Sequence, residues 1–492
     1  MPEPAGGRPV TGRGARRAPG SLPTVVIRGG TVVDESGERR ADVVCAGGNV
    51  AAVGEGLEVP SGATVLDAGG CLVAPGLVDL HAHLREPGNE DAECIETGAR
   101  AAALGGFTAI VAMPNTDPPL DNAAVASEVL ALGAGAACRI AVAGAITVGR
   151  AGERLAPLGE LAALGVRLFT DDGAGVQDSG VMRRALEYAR GLGVTLAEHC
   201  EDHALACGAA MHEGEWSSRL GVPGAPAEAE ELMVARDIAL TRLTGGRLHL
   251  LHLSSAGSVA LLAAAKAEGL AVTAEVTPHH LAFTDADLAG YDTAFKVNPP
   301  LRTAADVAAL REACAIGSLD AIATDHAPHR PEAKDAPLSD AASGMLGLET
   351  ALAVALGALC GGDGARLHAT GARRAPGRGG RRRNGEGGGF DGAGNGALSR
   401  LTACDVVGLM SWRPARISQM SLCQGGDQGG PITPGAPANL CIFDLKESWV
   451  VDPVRMASRS RNTPWAGRTL TGRVRHTIRA GEPVVVGAEA QR

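Results

Sequence analysis

Two histidines separated by one residue close an apolar run at Gly76-Leu77-Val78-Asp79-Leu80-His81-Ala82-His83-Leu84-Arg85-Glu86-Pro87-Gly88. On an extended strand residues i and i+2 share a face, so His81 and His83 can address one ion. A lone His-x-His is also what chance leaves on a strand edge, and the wider context decides between the two readings. Four more residues of metal-ligand type stand downstream, each at the end of an apolar run. They are Asp172 after Val166-Arg167-Leu168-Phe169, His199 after Val194-Thr195-Leu196-Ala197, His252 after Leu248-His249-Leu250-Leu251, and Asp325 after Ala321-Ile322-Ala323. One pattern repeated five times argues for one shared site.

Four histidines and two carboxylates, counting a bridging one, suit a pair of divalent ions such as Zn2+. Two such ions activate a shared hydroxide and polarise a carbonyl, which is the chemistry of hydrolysis. Asp325 is placed to take a proton from the attacking oxygen and pass it to a leaving nitrogen, the alternative being a plain ligand or a buried structural aspartate. Arg85, beside the histidines, carries a planar fork suited to a carboxylate. Asn115, Asn298 and His329 can complete that pocket, although each alone is an ordinary turn or loop residue. Cys200 adjoins His199, but neighbours on a strand face opposite ways, so it is not expected among the ligands.

The elements that must position these residues follow from the same runs. Apolar β-like segments alternate with Ala/Leu-rich helical stretches eight times, ending near His83, Asn115, Thr147, Asp172, His199, His252, Thr277 and Asp325. Eight β/α units predict a TIM (β/α)8 barrel, whose chemistry sits at the C-terminal ends of the strands, where all five candidate positions fall. The 27 residues from Asp172 to His199 are about one unit, and the 73 from His252 to Asp325 about two. Outside the barrel, short pieces at Thr24–Arg28, Thr31–Val33, Asp42–Cys45, Val50–Val53 and Ala63–Leu66 predict one layer of a small β-sandwich. Gly435–Asp444 and Val474–Arg479 predict its second half, so both chain ends are expected to pair beside the barrel. The expected organisation is a disordered Gly/Pro/Arg-rich tail over 1–22, sandwich over 23–74, barrel over 75–420 and sandwich again over 421–492. Residues 361–397, rich in Gly and Arg and poor in apolar residues, are expected to be a disordered insertion in the barrel.

Composition bounds the function. The 492 residues are 45% hydrophobic and 20% charged, enough for a large core and a smaller second unit. A net charge of −10 and a pI of about 5.8 argue against nucleic acid as a partner, so an anionic substrate needs local cations. No apolar run reaches the length of a membrane span and the N-terminus lacks a signal-peptide core, which predicts a cytoplasmic protein with no membrane partner. The eleven cysteines contain no C-x-x-C pair and read as reduced thiols.

Six segments together resemble the type I bacterial dihydroorotases of the amidohydrolase superfamily. They are His81-Ala-His83-Leu-Arg85-Glu-Pro-Gly88, Phe169-Thr-Asp171-Asp172-Gly173, Glu198-His199-Cys-Glu201-Asp202, Leu251-His252-Leu-Ser254-Ser255, Asn298-Pro-Pro300-Leu-Arg302 and Thr324-Asp325-His326-Ala-Pro-His329. The resemblance covers roughly residues 24 to 360 and 400 to 480. It implies His81, His83, Asp172, His199, His252 and Asp325 as ligands of two Zn2+ ions, with Arg85, Asn115, Asn298 and His329 on the substrate. The implied reaction is reversible closure of N-carbamoyl-L-aspartate to (S)-dihydroorotate, in de novo pyrimidine synthesis.

Related hydantoinases, allantoinases and other dihydroorotases bridge their metals with a carboxylated lysine on the fourth strand. The first lysine here is Lys266, so an aspartate bridge is expected as in type I dihydroorotases, and the resemblance implies Asp172 in place of Asp171, because its 27-residue separation from His199 matches the type I pattern. The chain departs from the family pattern at the 361–397 insertion and at Ala342-Ser343, where many relatives have Pro-Phe. Another cyclic-amide hydrolase is the runner-up reading, and a non-catalytic partner of aspartate transcarbamoylase the third. Such partners lose ligands, and this chain retains all six; a homo-oligomer is left open.

Overall fold

A computed structural model describes residues 22–361, 400–421 and 425–492. The expectations of a disordered tail and a disordered insertion fall, apart from their edge residues, outside the described residues.

The eight apolar runs form eight parallel strands: β1 (Leu77–Ala82), β2 (Phe107–Ala112), β3 (Arg139–Gly144), β4 (Leu168–Phe169), β5 (Thr195–Glu198), β6 (Arg247–Leu250), β7 (Val272–Val276) and β8 (Ala321–Ile322). They pair in sequence order, each parallel to its neighbours, as β/α repeats closing into a barrel do. A parallel bridge between Ala82 and His326, with the His83 amide donating to the His326 carbonyl at 2.8 Å, joins the last strand's extension to the first and closes the barrel. Every residue of β1 and β2 is buried, because strands covered on both faces must be apolar throughout or satisfy their polar groups internally. Val78, Leu80, Val111, Leu168, Ala197, Leu251 and Ala323 form one cluster across the strands, joined by Ala415 and Met420 from the helix Trp412–Ile417 and the turn after it.

The helices are built from local signals. Ser179–Leu192 starts where the Asp178 carboxylate accepts from the Val181 amide and stops at Gly193, whose φ of 69° few residues with a Cβ adopt. Its buried face, Val181, Met182, Ala185, Leu186 and Ala189, has helical spacing and packs into the core cluster between strands and helices. No helix among the described residues is long and apolar enough to cross a membrane.

Two further sheets form the sandwich. One holds Val25–Arg28, Asp42–Ala46, Asn49–Gly54 and Thr64–Asp67, all from the N-terminal end. The other mixes both ends: Leu72–Pro75 pairs antiparallel with Leu440–Val450, which pairs with Thr469–Arg479. Thr31–Asp34 corrects the expectation of a single N-terminal layer, because it lies in this mixed sheet, parallel to Leu72–Pro75. The chain crosses between layers at Gly29 and Gly30, where Gly29 has a φ of 75° and a Cβ on Gly30 would meet Val73 at 2.6 Å. Val25, Ile27, Val43 and Cys45 on one sheet pack against Val32, Val73, Leu440, Ile442 and Ile478 on the other.

Candidate active site

The barrel delivers the candidate residues to one end. His81 lies next to last in β1 and His83 follows the strand, Asp172 follows β4, His199 follows β5, His252 lies two residues past β6 and Asp325 three past β8. All six are buried. Three of the ten residues expected from the sequence adopt left-handed backbone without being glycine: Arg85 (φ 63°), His252 (φ 31°) and Asp325 (φ 44°). Such conformations cost energy and persist only where surrounding contacts over-determine them.

Asp172 lies at the centre. Its Oδ2 is 3.4 Å from His81 Nε2 and 3.6 Å from His83 Nε2, while Oδ1 is 3.5 Å from His252 Nε2 and 3.6 Å from His199 Nδ1. Asp325 Oδ1 completes the first group, at 3.1 Å from His83 Nε2 and 3.6 Å from His81 Nε2. In the second group His199 Nδ1 and His252 Nε2 approach to 3.0 Å. Donor atoms about 2.0–2.1 Å from one tetrahedral ion lie about 3.3 Å from each other, which is the spacing seen here. His81 Nε2 and Asp172 Oδ1 are buried without a hydrogen-bond partner, a state that is costly unless something else satisfies them. The donor atoms of His81, His83 and Asp325, and of His81, Asp172 and His252, each fall within 4.8 Å of one another. The residues fit divalent cations, with Asp172 between two groups.

The far sides of the His81 and His83 imidazoles are held as well. His83 Nδ1 donates to Asn115 Oδ1 at 2.8 Å, so the side chain expected on the substrate is also engaged with a histidine. His81 Nδ1 donates to Glu275 Oε1 at 3.0 Å, and Glu275 Oε2 meets His249 Nε2 at 3.1 Å. Such outer partners set which ring nitrogen is left to face the ion. Asp171 turns away: its Oδ1 accepts from the Ile146 and Thr147 amides at 2.9 and 3.1 Å, and its Oδ2 from the Thr147 hydroxyl. The Arg150 guanidinium donates to the Asp172 carbonyl. Cys200 is a buried thiol with Sγ directed to the Glu198 carbonyl.

Beside the cluster, Arg85 Nε donates to the Pro328 carbonyl at 3.1 Å, and its Nη2 lies 3.5 Å from His329 Nε2. His329 Nε2 donates to the Ser343 carbonyl at 2.7 Å, which leaves Nδ1 as the unprotonated nitrogen. Asn298 Nδ2 stands 3.4 Å from His199 Nε2, and Glu201 Oε2 is 3.8 Å from the same nitrogen. All ten residues expected from the sequence therefore surround one barrel mouth. Reading the chain missed Glu275, His249 and Arg150 and assigned no role to Glu201. A carboxylate inside the apolar strand Val272–Val276 was the available signal for Glu275; nothing local marks Arg150.

The electrostatics are those of a cation site. Burial works to lower the proton affinity of His81, but the carboxylates of Asp172, Glu275 and Asp325 outweigh it and hold its pKa well above the usual imidazole value. At His199 burial is likewise outweighed, by the carboxylates of Asp172 and Glu201, which raise it to about 10. Burial pushes Asp172 and Asp325 upward, and the surrounding imidazoles reverse this and take both below the ordinary carboxylate range. Carboxylates that draw protons onto histidines draw metal cations by the same field. On the substrate side the sign inverts: burial and then the Arg85 charge lower His329 to about 3, so its ring is neutral at neutral pH. Burial lowers Arg85 itself to about 10, which leaves it charged.

A (β/α)8 barrel with a β-sandwich built from both chain ends is the fold of the solved hydantoinases. An L-hydantoinase (dihydropyrimidinase) from Arthrobacter aurescens superposes with a TM-score of 0.77 at 24% identity, covering 96% of this chain and 98% of that one. A dihydropyrimidinase from Brevibacillus agri gives 0.75 at 21%, covering 95% and 96%. Residues 70–258 match the family described as Dihydro-orotase-like. A dihydroorotase of Anaeromyxobacter dehalogenans is 47% identical over 95% of this chain and 99% of its own length, and one of Mycobacterium tuberculosis 44% over 93% and 97%. The chain belongs to the dihydroorotase family, enzymes that are cyclic amidohydrolases.

Proposed function

We propose that the protein catalyses the reversible hydrolysis of (S)-dihydroorotate to N-carbamoyl-L-aspartate in de novo pyrimidine synthesis, in the cytoplasm, as a type I member of the amidohydrolase superfamily. His81, His83, Asp325 and one oxygen of Asp172 would hold one Zn2+, and His199, His252 and the other oxygen of Asp172 a second. Bound there, the ions supply Lewis acidity that polarises the amide carbonyl and lowers the pKa of water.

The chain's own residues do the rest. Asp325, kept ionised by the surrounding imidazoles, accepts the proton of the attacking oxygen at its carboxylate and returns it to the leaving ring nitrogen. Arg85 takes the ring carboxylate in its guanidinium fork, with His329, Asn115 and Asn298 around it. A neutral His329 offers polarity without a second full charge beside Arg85. Glu275 and Asn115 hold the metal-facing tautomers of His81 and His83.

The observation that carries this reading is the division of the Asp172 carboxylate between two pairs of histidines in a chain with no lysine before residue 266. Metal analysis of the purified protein, with turnover of dihydroorotate, allantoin and hydantoin side by side, tests it. About two ions per chain and preferential turnover of dihydroorotate are expected. Preference for hydantoin or allantoin would move the substrate assignment, and a protein inactive on all three with metal bound would point to a partner of aspartate transcarbamoylase.

A further inference from the structure

The two long strands of the mixed sheet, Leu440–Val450 and Thr469–Arg479, are not joined by a tight turn. Between them residues 451–468 leave the sandwich and run to the loop that follows β8, on the substrate side of the site. Asn462 is the point of contact and is buried there. Its Nδ2 donates to the Ala327 carbonyl at 2.9 Å and to the Gly344 carbonyl at 3.1 Å, and its Oδ1 accepts from the His329 amide at 3.1 Å. Its own carbonyl accepts from the Leu346 amide at 3.0 Å. One side chain thus ties the outgoing limb of the loop, Ala327–His329, to the returning limb, Gly344–Leu346.

The tie fixes more than backbone. Pro328, inside the clamped limb, offers the carbonyl that receives Arg85 Nε, and the returning limb carries Ser343, whose carbonyl receives His329 Nε2. Gly344 has a φ of 135°, and a Cβ there would lie 2.9 Å from His329 Nε2, so the limbs meet with no space to spare. A second tie from the same excursion joins Ser458 and the Arg459 amide to Glu93, which meets His326 Nε2 at 3.3 Å. Gly347 donates its amide to His326 Nδ1 at 3.2 Å, which leaves the ring's proton on the nitrogen facing Glu93.

We propose that Asn462 is a positioning residue through which the C-terminal excursion sets the substrate-carboxylate pocket: it holds His329 and the Arg85 anchor in register without touching substrate or metal. Both amide hydrogens and the amide oxygen are used, so neither alanine nor aspartate can replace it. Alanine leaves the Ala327 carbonyl and the His329 amide without the partner Asn462 gives them, while the Gly344 carbonyl keeps Lys334 Nζ at 3.0 Å, and aspartate turns an oxygen toward two carbonyls. Small misplacement of a binding group costs about 10- to 100-fold in the step it serves.

The inference rests on the proposed dihydroorotase activity, and the test separates the two. In hydrogen exchange of the intact protein, Asn462→Ala and Asn462→Asp should speed exchange in peptides spanning residues 326–346 and leave those spanning β4 to β6 unchanged, whatever the substrate. For dihydroorotate, Asn462→Ala should raise KM about tenfold or more, with kcat within about threefold and bound metal unchanged. In an Arg85→Met background the same change should add less than about twofold to KM, because the two residues act through one pocket. Unchanged exchange at 326–346, an unaltered KM, or a full multiplicative effect on top of Arg85→Met would each overturn the proposal. If Asn462→Ala does not accumulate as folded protein, Asn462→Asp carries the same readouts at nearly the same volume. Failure of the wild type to turn over dihydroorotate counts against the activity, and the exchange experiment still decides the clamp.

Discussion

Asp171 and Asp172 are neighbours in the chain and opposed in space. The Asp171 carboxylate is taken up by Ile146 and Thr147 just beyond β3, while the Asp172 carboxylate lies among His81, His83, His199 and His252. Asp172→Ala should therefore lose metal and nearly all activity, since two nearby cations would lose the charge that offsets their repulsion. Asp171→Ala should keep most of its metal and lose part of its activity. Metal analysis of the two purified variants checks this, and a metal-free Asp171→Ala beside a metal-loaded Asp172→Ala would reverse the assignment.

Arg85 packs against the loop after β8 and not among the metal-facing donor atoms. Arg85→Met should retain metal and raise KM for dihydroorotate by about 100-fold, the scale of a charge-assisted hydrogen-bonded pair. Steady-state kinetics with metal quantified on the same sample would show it, and an unchanged KM would remove Arg85 from the substrate.

Glu275 accepts from His81 and is itself held by His249, and burial, outweighed by these two imidazoles, leaves its pKa at about 2. Glu275→Gln keeps the shape but removes the charge that makes His81 a stronger donor. Metal affinity should fall about 10- to 100-fold. Competition with a chromophoric chelator measures this, and equal affinity in both proteins would assign Glu275 to packing alone.

Glu349 receives the Ala457 and Ser458 amides at 2.9 and 3.4 Å, and burial raises its pKa to about 7. The folded protein thus binds more protons than the unfolded chain between about pH 4.5 and 7, so this group's contribution is present at acid pH and lost as pH rises through 7. Glu349→Gln should match the wild type near pH 4.5 and exceed it at pH 8 by on the order of 1–3 kcal/mol. Thermal unfolding of both proteins across that range tests the sign, and a glutamine variant less stable at pH 8 would refute it.

Much of the molecule was legible in the chain because its determinants are local. Short continuous apolar runs set against Ala/Leu-rich stretches separated the eight strands from the helices, and in a parallel barrel every strand's C-terminal end reaches the same face. His81, His83, Asp172, His199, His252 and Asp325 could therefore be gathered without coordinates. Tertiary structure decided what depends on direction and on distant partners. The turn of Asp171 toward β3, the passage of Thr31–Asp34 into the mixed sheet, and the hold of Glu275 on His81 depend on contacts that no local period encodes. Asn462 is the clearest case: it stands 133 residues from His329, and only closure of the sandwich beside the barrel brings its amide onto the loop it ties. A hydrogen bond needs donor and acceptor within about 3 Å, and that distance is set by the packing of whole elements, not by the residues at either end.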